Sequence, residues 1–403
     1  MITSASSPPP PIPTASLVQS PSPSSSPRRR LLCRGASPPT SNLKFVLHDA
    51  LDSLGFDTSY ARESRTEFLT QIQNLSDIER ETSISINRCV DLGKTALYIA
   101  AEDDSLVSHS SVPLPVDDFI QLLDDLSMGY CSSYNSSFSS SPEIFLHSLD
   151  SYLYVNKGFR RTDAKDQLEA QGLYLPSVLT HRSGSAVMLS LIYSEILKML
   201  RLWGLVDFDC EIFFPYDLHG LPRGYDTRKS KESEQPFITT TQTLLEETLR
   251  NLKEAFWPFQ YDNTKSLFLR AAHAANCIDK SKNLEDSDCQ LAPAESAQHR
   301  LLHGVQTRKS FGDMMLALSA CERLILLESD PKELRDYGIL LYHCGFYEQS
   351  QQCLKMYQDT KSFSLQKQPS NKFDNLEEDA VEKLMVRLDL ILMEKGWSKP
   401  SLV

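Results

Sequence analysis

The stretch LPSVLTHRSGSAVMLSLIYSEILKMLRLWG, residues 175–204, decides how the rest of the chain is read. From Ala186 to Trp203 it is apolar almost all round, and only Glu195, Lys198 and Arg201 carry charge. A helix without a polar face has no side to turn to water, so it belongs at the centre of a domain. Ser183 or Ser185 supplies a side-chain oxygen for the unpaired N–H groups at its start, and Gly204 permits the left-handed turn that ends it. The following VDFDCEIFF, residues 206–214, alternates apolar and acidic residues over its first half, which predicts a strand closed by Pro215.

Working outward, apolar residues recur at helical spacing from 43 to 101, as at Phe45, Leu51 and Leu54 and then Phe68, Ile72 and Leu75. Pro113 and Pro115 interrupt the pattern, 116–128 resumes it, 131–142 reads as a Ser-rich loop, and 145–155 is helical again. Phe256, Trp257, Pro258, Phe259 and Tyr261 form an aromatic hinge, and 281–310 reads as a polar linker. Helices follow at 314–327, 334–344 and 347–357, with an amphipathic one at 373–397. The expected fold class is α+β and predominantly helical.

Tyr152, Gly158 and Phe159, then Val178, Leu179, Arg182, Gly184, Leu189 and Tyr193, and Leu249, Arg250, Asn251 and Leu252 carry a family resemblance. So do Asp330, Pro331, Leu334, Tyr337, Gly338, Gly345, Tyr347 and Ser350. In this order, over about 115–360, the chain resembles the SirB family, here as a plant plastid-targeted member. The resemblance implies a papain/transglutaminase-like core followed by a tetratricopeptide (TPR)-type segment. It divides the chain into a transit peptide at 1–36, a helical region at 37–130, a SirB-type domain at 143–280, the linker at 281–310, a TPR-like repeat at 311–360 and a capping helix with tail at 361–403. Gly338, Leu341, Gly345, Tyr347, Ser350 and Leu354 have the small-large spacing of one helix pair, expected to pack internally and to form a groove for protein partners. A single pair is too small to stand alone, so it must lean on the core or on the last helix.

Active relatives of such a core place a cysteine at the start of the central helix, where amide donors and the helix dipole lower the thiol pKa. Here that start reads Ser183-Gly184-Ser185-Ala186, and no cysteine lies between Cys131 and Cys210. Serine requires a positioned base and an oxyanion hole to react. His219 is the candidate base and Asp226 a positional candidate for its orienting acid, so Ser185, His219 and Asp226 define the catalytic alternative. The resemblance makes Gly158, Phe159, Arg182, Gly184 and Asn251 structural, with Arg182 expected to pair with a carboxylate beneath the central helix.

The chain carries a net charge of −12, yet its first 48 residues hold no acid, and residues 1–40 contain ten of the 22 prolines and ten serines. A Ser-rich, Arg-containing, acid-poor start reads as a chloroplast transit peptide cleaved near Cys33–Ala36. Removing residues 1–36 takes four arginines and no acid, which moves the charge from −12 to −16. An acidic chain is unsuited to nucleic acid held by a global basic field. No apolar run reaches the ~18–20 residues of a membrane span. The nine cysteines lack C-x-x-C spacing; most read as core residues, with Cys344 and Cys353 as redox candidates. His299 and His303 are a surface pair rather than ligands, so no metal and no cofactor is expected. The functional expectation is a non-catalytic adaptor or assembly factor of the stroma, binding proteins through its helical repeat. The alternative is a hydrolase or acyltransferase that uses serine in place of cysteine.

Overall fold

The computed structural model describes residues 43–75, 80, 89–108, 112–162, 170–208, 210–214, 220–226, 240–259, 264–276, 301, 305–306, 311–328, 330–364 and 372–397. All belong to the unit Thr40–Val403. The central helix, Ala186–Leu202, is the seventh α-helix among the described residues, α7. The six before it are α1 (Val46–Ser53), α2 (Ser59–Gln73), α3 (Leu92–Ser108), α4 (Val116–Ser133), α5 (Pro142–Asp150) and α6 (Leu175–His181). After it come α8 (Thr241–Phe256), α9 (Leu267–Ala274), α10 (Met314–Leu326), α11 (Lys332–His343), α12 (Tyr347–Ser364) and α13 (Lys372–Trp397).

Strands are few and short. β1 (Arg160–Arg161) lies parallel to β2 (Ser183–Gly184), and β3 (Cys210–Phe213) pairs antiparallel with β4 (Arg223–Asp226) in the register Cys210 to Asp226 and Phe213 to Arg223. β5 (Val305–Gln306) pairs with β6 (Phe311–Gly312). The fold is therefore α+β and predominantly helical, as the periodicity predicts. The strand expected over 206–214 is confined to β3, and the strand that the sequence does not reveal, β4, lies beside it.

Two apolar cores organise these elements. The first surrounds α7, which packs against α3, α4, α8 and the β3–β4 hairpin. Leu191, Tyr193, Ile196 and Leu200 are completely covered, together with Leu97, Tyr130, Leu149 and Leu249. Each such leucine contributes ~1.5–3 kcal/mol by leaving water. The helix starts where the sequence predicts: Ser185 is the N-cap, its Oγ accepting from the Met188 N–H at 3.3 Å, and Gly204 follows the last turn at φ +70°.

The second core gathers Phe268, Leu318, Tyr337, Leu340, Leu354, Val381 and Leu384 from α9 to α13, with Leu47 and Leu51 of α1. Trp257 and Phe259 are buried in it, and Phe259 lies 4.2 Å from the His343 ring. The expected helix pair is α11–α12. A side chain at Gly338 would begin 3.0 Å from Leu354 Cγ, and Ser350 Oγ donates to the Gly338 carbonyl at 2.7 Å.

A seam of buried charge joins the cores. Arg65 of α2 donates to both oxygens of Glu102 on α3, at 2.8 and 2.6 Å, and to Glu322 of α10 at 2.9 Å. Arg323, next along α10, holds Glu102 at 3.0 Å and Asp103 at 2.6 Å. Tyr337 of α11 donates to Glu322 at 2.5 Å, and His48 of α1 lies 3.3 Å from Glu102. A second centre links α8, α11 and α13: Lys253 to Glu333 at 2.5 Å and Asp336 at 3.1 Å, and Arg335 to Glu377 at 2.5 Å. Bringing these ions out of water costs several kcal/mol each, which only mutual pairing offsets.

Candidate functional site

The start of α7 is where a transglutaminase-like nucleophile would stand. Local sequence builds it tightly. α6 ends on Arg182 in the left-handed region at φ +57°, its N–H donating to the Val178 carbonyl at 2.8 Å. The chain then enters β2, tied to β1 by Arg160 N to Arg182 O at 2.9 Å and Thr162 N to Gly184 O at 3.0 Å. At Gly184 any side chain would begin 2.5 Å from Val178 Cγ2, so only glycine fits. The Ser185 N–H donates to the Gly172 carbonyl at 2.9 Å.

These bonds fix what Ser185 can do. Its amide is committed to Gly172, and its hydroxyl oxygen faces the first turn of its own helix as a cap. The cap satisfies one of the four unpaired N–H groups of a helix start. His219 lies outside the described residues. The carbonyl of Gly220, one position on, accepts from Arg161 Nη1 at 2.7 Å, beside the β1–β2 pair.

Asp226 is described, and it is buried opposite Cys210 in β4. Gly224, two residues before it, packs on Tyr193: a side chain there would begin 2.7 Å from Tyr193 Oη. Tyr193 is eight positions beyond Ser185, ~12 Å along the helix axis at 1.5 Å per residue. Asp226 pairs with Cys210, the first residue of β3, in the segment that follows α7.

The sequence reading passes over a buried polar pair inside the first core. Asp150, at the end of α5, faces Tyr193, and neither Asp150 Oδ1 nor Tyr193 Oη has a hydrogen bond of standard geometry. Burial pushes the Asp150 carboxyl up to about 6, against a smaller opposing effect of the Tyr193 hydroxyl. Tyr154, from the π turn Ser151–Asn156 that continues α5, donates to the Pro222 carbonyl. The available signal was the one acid in the helical run 145–155.

The remaining family-motif residues divide by position. Gly158 takes φ +72°, Phe159 is buried, and Asn251 is half-buried on α8. Arg182 is exposed and donates to the Lys157 carbonyl at 3.0 Å. Its partner is thus a backbone oxygen at the surface, not a carboxylate beneath α7, because the left-handed turn swings the side chain outward. In the α11–α12 pair, Leu341, Ser350 and Leu354 are covered, Gly345 turns the chain at φ +81°, and Tyr347 opens α12 beside the Tyr342 ring. Leu341, Ser350 and Leu354 pack the pair internally.

Cys344 and Cys353 are buried as well, and burial pushes the Cys353 thiol up to about 12, far from a reactive thiolate. His299, His303 and most of the linker at 281–310 lie outside the described residues. Among the described residues, no group of three or more His, Cys, Asp or Glu could hold a metal ion. None of their helices is long and apolar enough to cross a membrane.

No curated protein and no solved structure matches the chain. Residues 117–203 match the family model described as the transglutaminase-like superfamily. That span runs from the first turn of α4 to the end of α7, so the capped helix start at Ser185 lies within a transglutaminase-like domain.

Proposed function

We propose that this chain is a non-catalytic, SirB-type transglutaminase-like protein that serves as an adaptor or assembly factor in the plastid stroma. The observation that carries the reading is the role of Ser185. A serine stands where the chemistry requires a thiolate, and its oxygen accepts the Met188 N–H at 3.3 Å as a helix cap. A neutral hydroxyl in that role is neither activated nor aimed outward. The tetratricopeptide-type helices α11 and α12 supply the surface on which protein partners dock. With the leader removed the charge of −16 favours partners with basic patches.

A serine-directed fluorophosphonate probe applied to the full chain tests this reading. No labelling at Ser185 is expected. Labelling that disappears in Ser185→Ala would contradict it and support a hydrolase or acyltransferase built on Ser185 and His219. The localisation is tested by import into isolated chloroplasts, with processing expected near residues 33–36.

A further inference from the structure

One pocket on the transglutaminase-like domain lies beside the capped helix start and shares only Arg182 with it. It lies between α4, α6 and the turn after the π segment, with a volume of about 180 Å³. Leu126, Phe159 and Leu179 supply its apolar lining, with Leu122 at the edge. Lys157 and Arg182 are its two cations and Asp125 is its single carboxylate. In a chain with net charge −12, two cations in one pocket form a local reversal of sign.

Both cations are held in place without being neutralised. The Arg182 guanidinium donates to the Lys157 carbonyl at 3.0 Å, and Lys157 Nζ sits 5.3 Å from the centre of the Tyr152 ring. Among the described residues, neither forms an ion pair with a carboxylate. Arg182 also occupies the left-handed region, where glycine would be the less strained choice. Its side chain therefore stands at a local backbone cost, and strain of this kind gathers at binding sites. Asp125 accepts from Gln121 Nε2 at 3.0 Å, which orients its carboxylate.

We infer that this pocket binds an apolar α-carboxylate: the free amino acid or the C-terminal residue of a peptide, with a side chain the size of leucine or phenylalanine. Lys157 and Arg182 take the carboxylate, Asp125 accepts from the α-nitrogen, and the side chain enters the Leu126–Phe159–Leu179 lining. The volume suits it, since a cavity of ~150 Å³ holds benzene. A phosphate dianion fits less well, because Asp125 would repel it and the apolar lining would stay empty. The inference goes beyond the adaptor reading and does not depend on it.

Calorimetric titration of the full chain with N-acetyl-phenylalanine and with its amide tests the assignment. The carboxylate is expected to bind and the amide to bind about tenfold more weakly or not at all, the worth of a charge-assisted hydrogen bond. Arg182→Gly, which suits φ +57°, and Lys157→Met, which keeps the stem over Tyr152, should each weaken the carboxylate about tenfold while melting like the parent. Equal binding of acid and amide, no binding of either at millimolar concentration, or unchanged affinity in both variants would overturn the assignment. Free phenylalanine and a hexapeptide ending in phenylalanine then separate the sources. Tighter binding of the amino acid identifies a small-molecule site and tighter binding of the peptide a docking site; each outcome supports the pocket. Probe labelling that depends on Ser185 would sink the adaptor reading and leave this result untouched.

Discussion

α7 and α11 are both buried on every side, and they reach that state by opposite means. α7 does it with an apolar surface: Val187, Leu191, Ile192, Ile196 and Leu200 are covered by hydrophobic neighbours. α11 carries Glu333, Arg335, Asp336 and Tyr337 into the interior, each matched by a partner. Those partners are remote in sequence, Lys253 being 80 residues from Glu333 and Glu377 42 residues from Arg335. A sequence that reads KELRD looks like a solvated helix face until its partners are known. The difference teaches that the C-terminal helices are fitted to the transglutaminase-like core by charge as well as by shape.

The largest effect should come from breaking the seam. Arg65→Met leaves Glu102 and Glu322 buried without their shared cation, and a loss of about 3–5 kcal/mol is expected in urea unfolding. Leu191→Ala, the apolar counterpart in α7, should cost about 3 kcal/mol by opening a cavity. Similar losses from such unlike substitutions would sharpen the comparison; a negligible loss at Arg65 would break it.

Acid should separate the two regions by sign. Arg323 and Arg65 hold the Glu102 carboxyl well below the usual carboxylate range. Its stabilising contribution is therefore complete above the unfolded value of 4.5 and is lost only as pH falls through the lower folded value. Asp150 is raised from 3.8 to about 6, so its ionised form costs stability above about 6 and that cost fades as pH falls toward 3.8. Asp150→Asn should therefore stabilise the protein at pH 8, by about 1 kcal/mol for a partly exposed group, and change nothing at pH 4. Urea midpoints of parent and variant at both pH values check this. The smallest effect belongs to Ser185→Ala: about 1 kcal/mol for a lost cap, read as a lowered melting temperature.

What was legible in the sequence follows the same division. The extent of α7, its Ser185 cap and its Gly204 exit rest on local spacing and propensity, and they can be read from 175–204 alone. The Gly338–Leu354 packing also follows a short-range pattern. β4 was hidden because Arg223-Gly-Tyr-Asp226 has no apolar alternation; its register comes from Cys210–Phe213 across the hairpin. Arg182 was assigned a buried carboxylate because nothing local announces that a non-glycine residue will take φ +57°. Asp150 and Tyr193 meet only through tertiary packing. In each case the missing information was a partner distant in sequence.

The Arg65–Glu102–Glu322–Arg323 seam should make the transglutaminase-like core and the C-terminal helices one cooperative unit. Native-state hydrogen exchange on Arg65→Met tests it most directly, because protection reports the opening energy of each segment. The account predicts that the slowest amides of α7 and α11 lose protection together and by the same factor. Loss confined to α11, with α7 exchanging as in the parent protein, would show two independent units and contradict it.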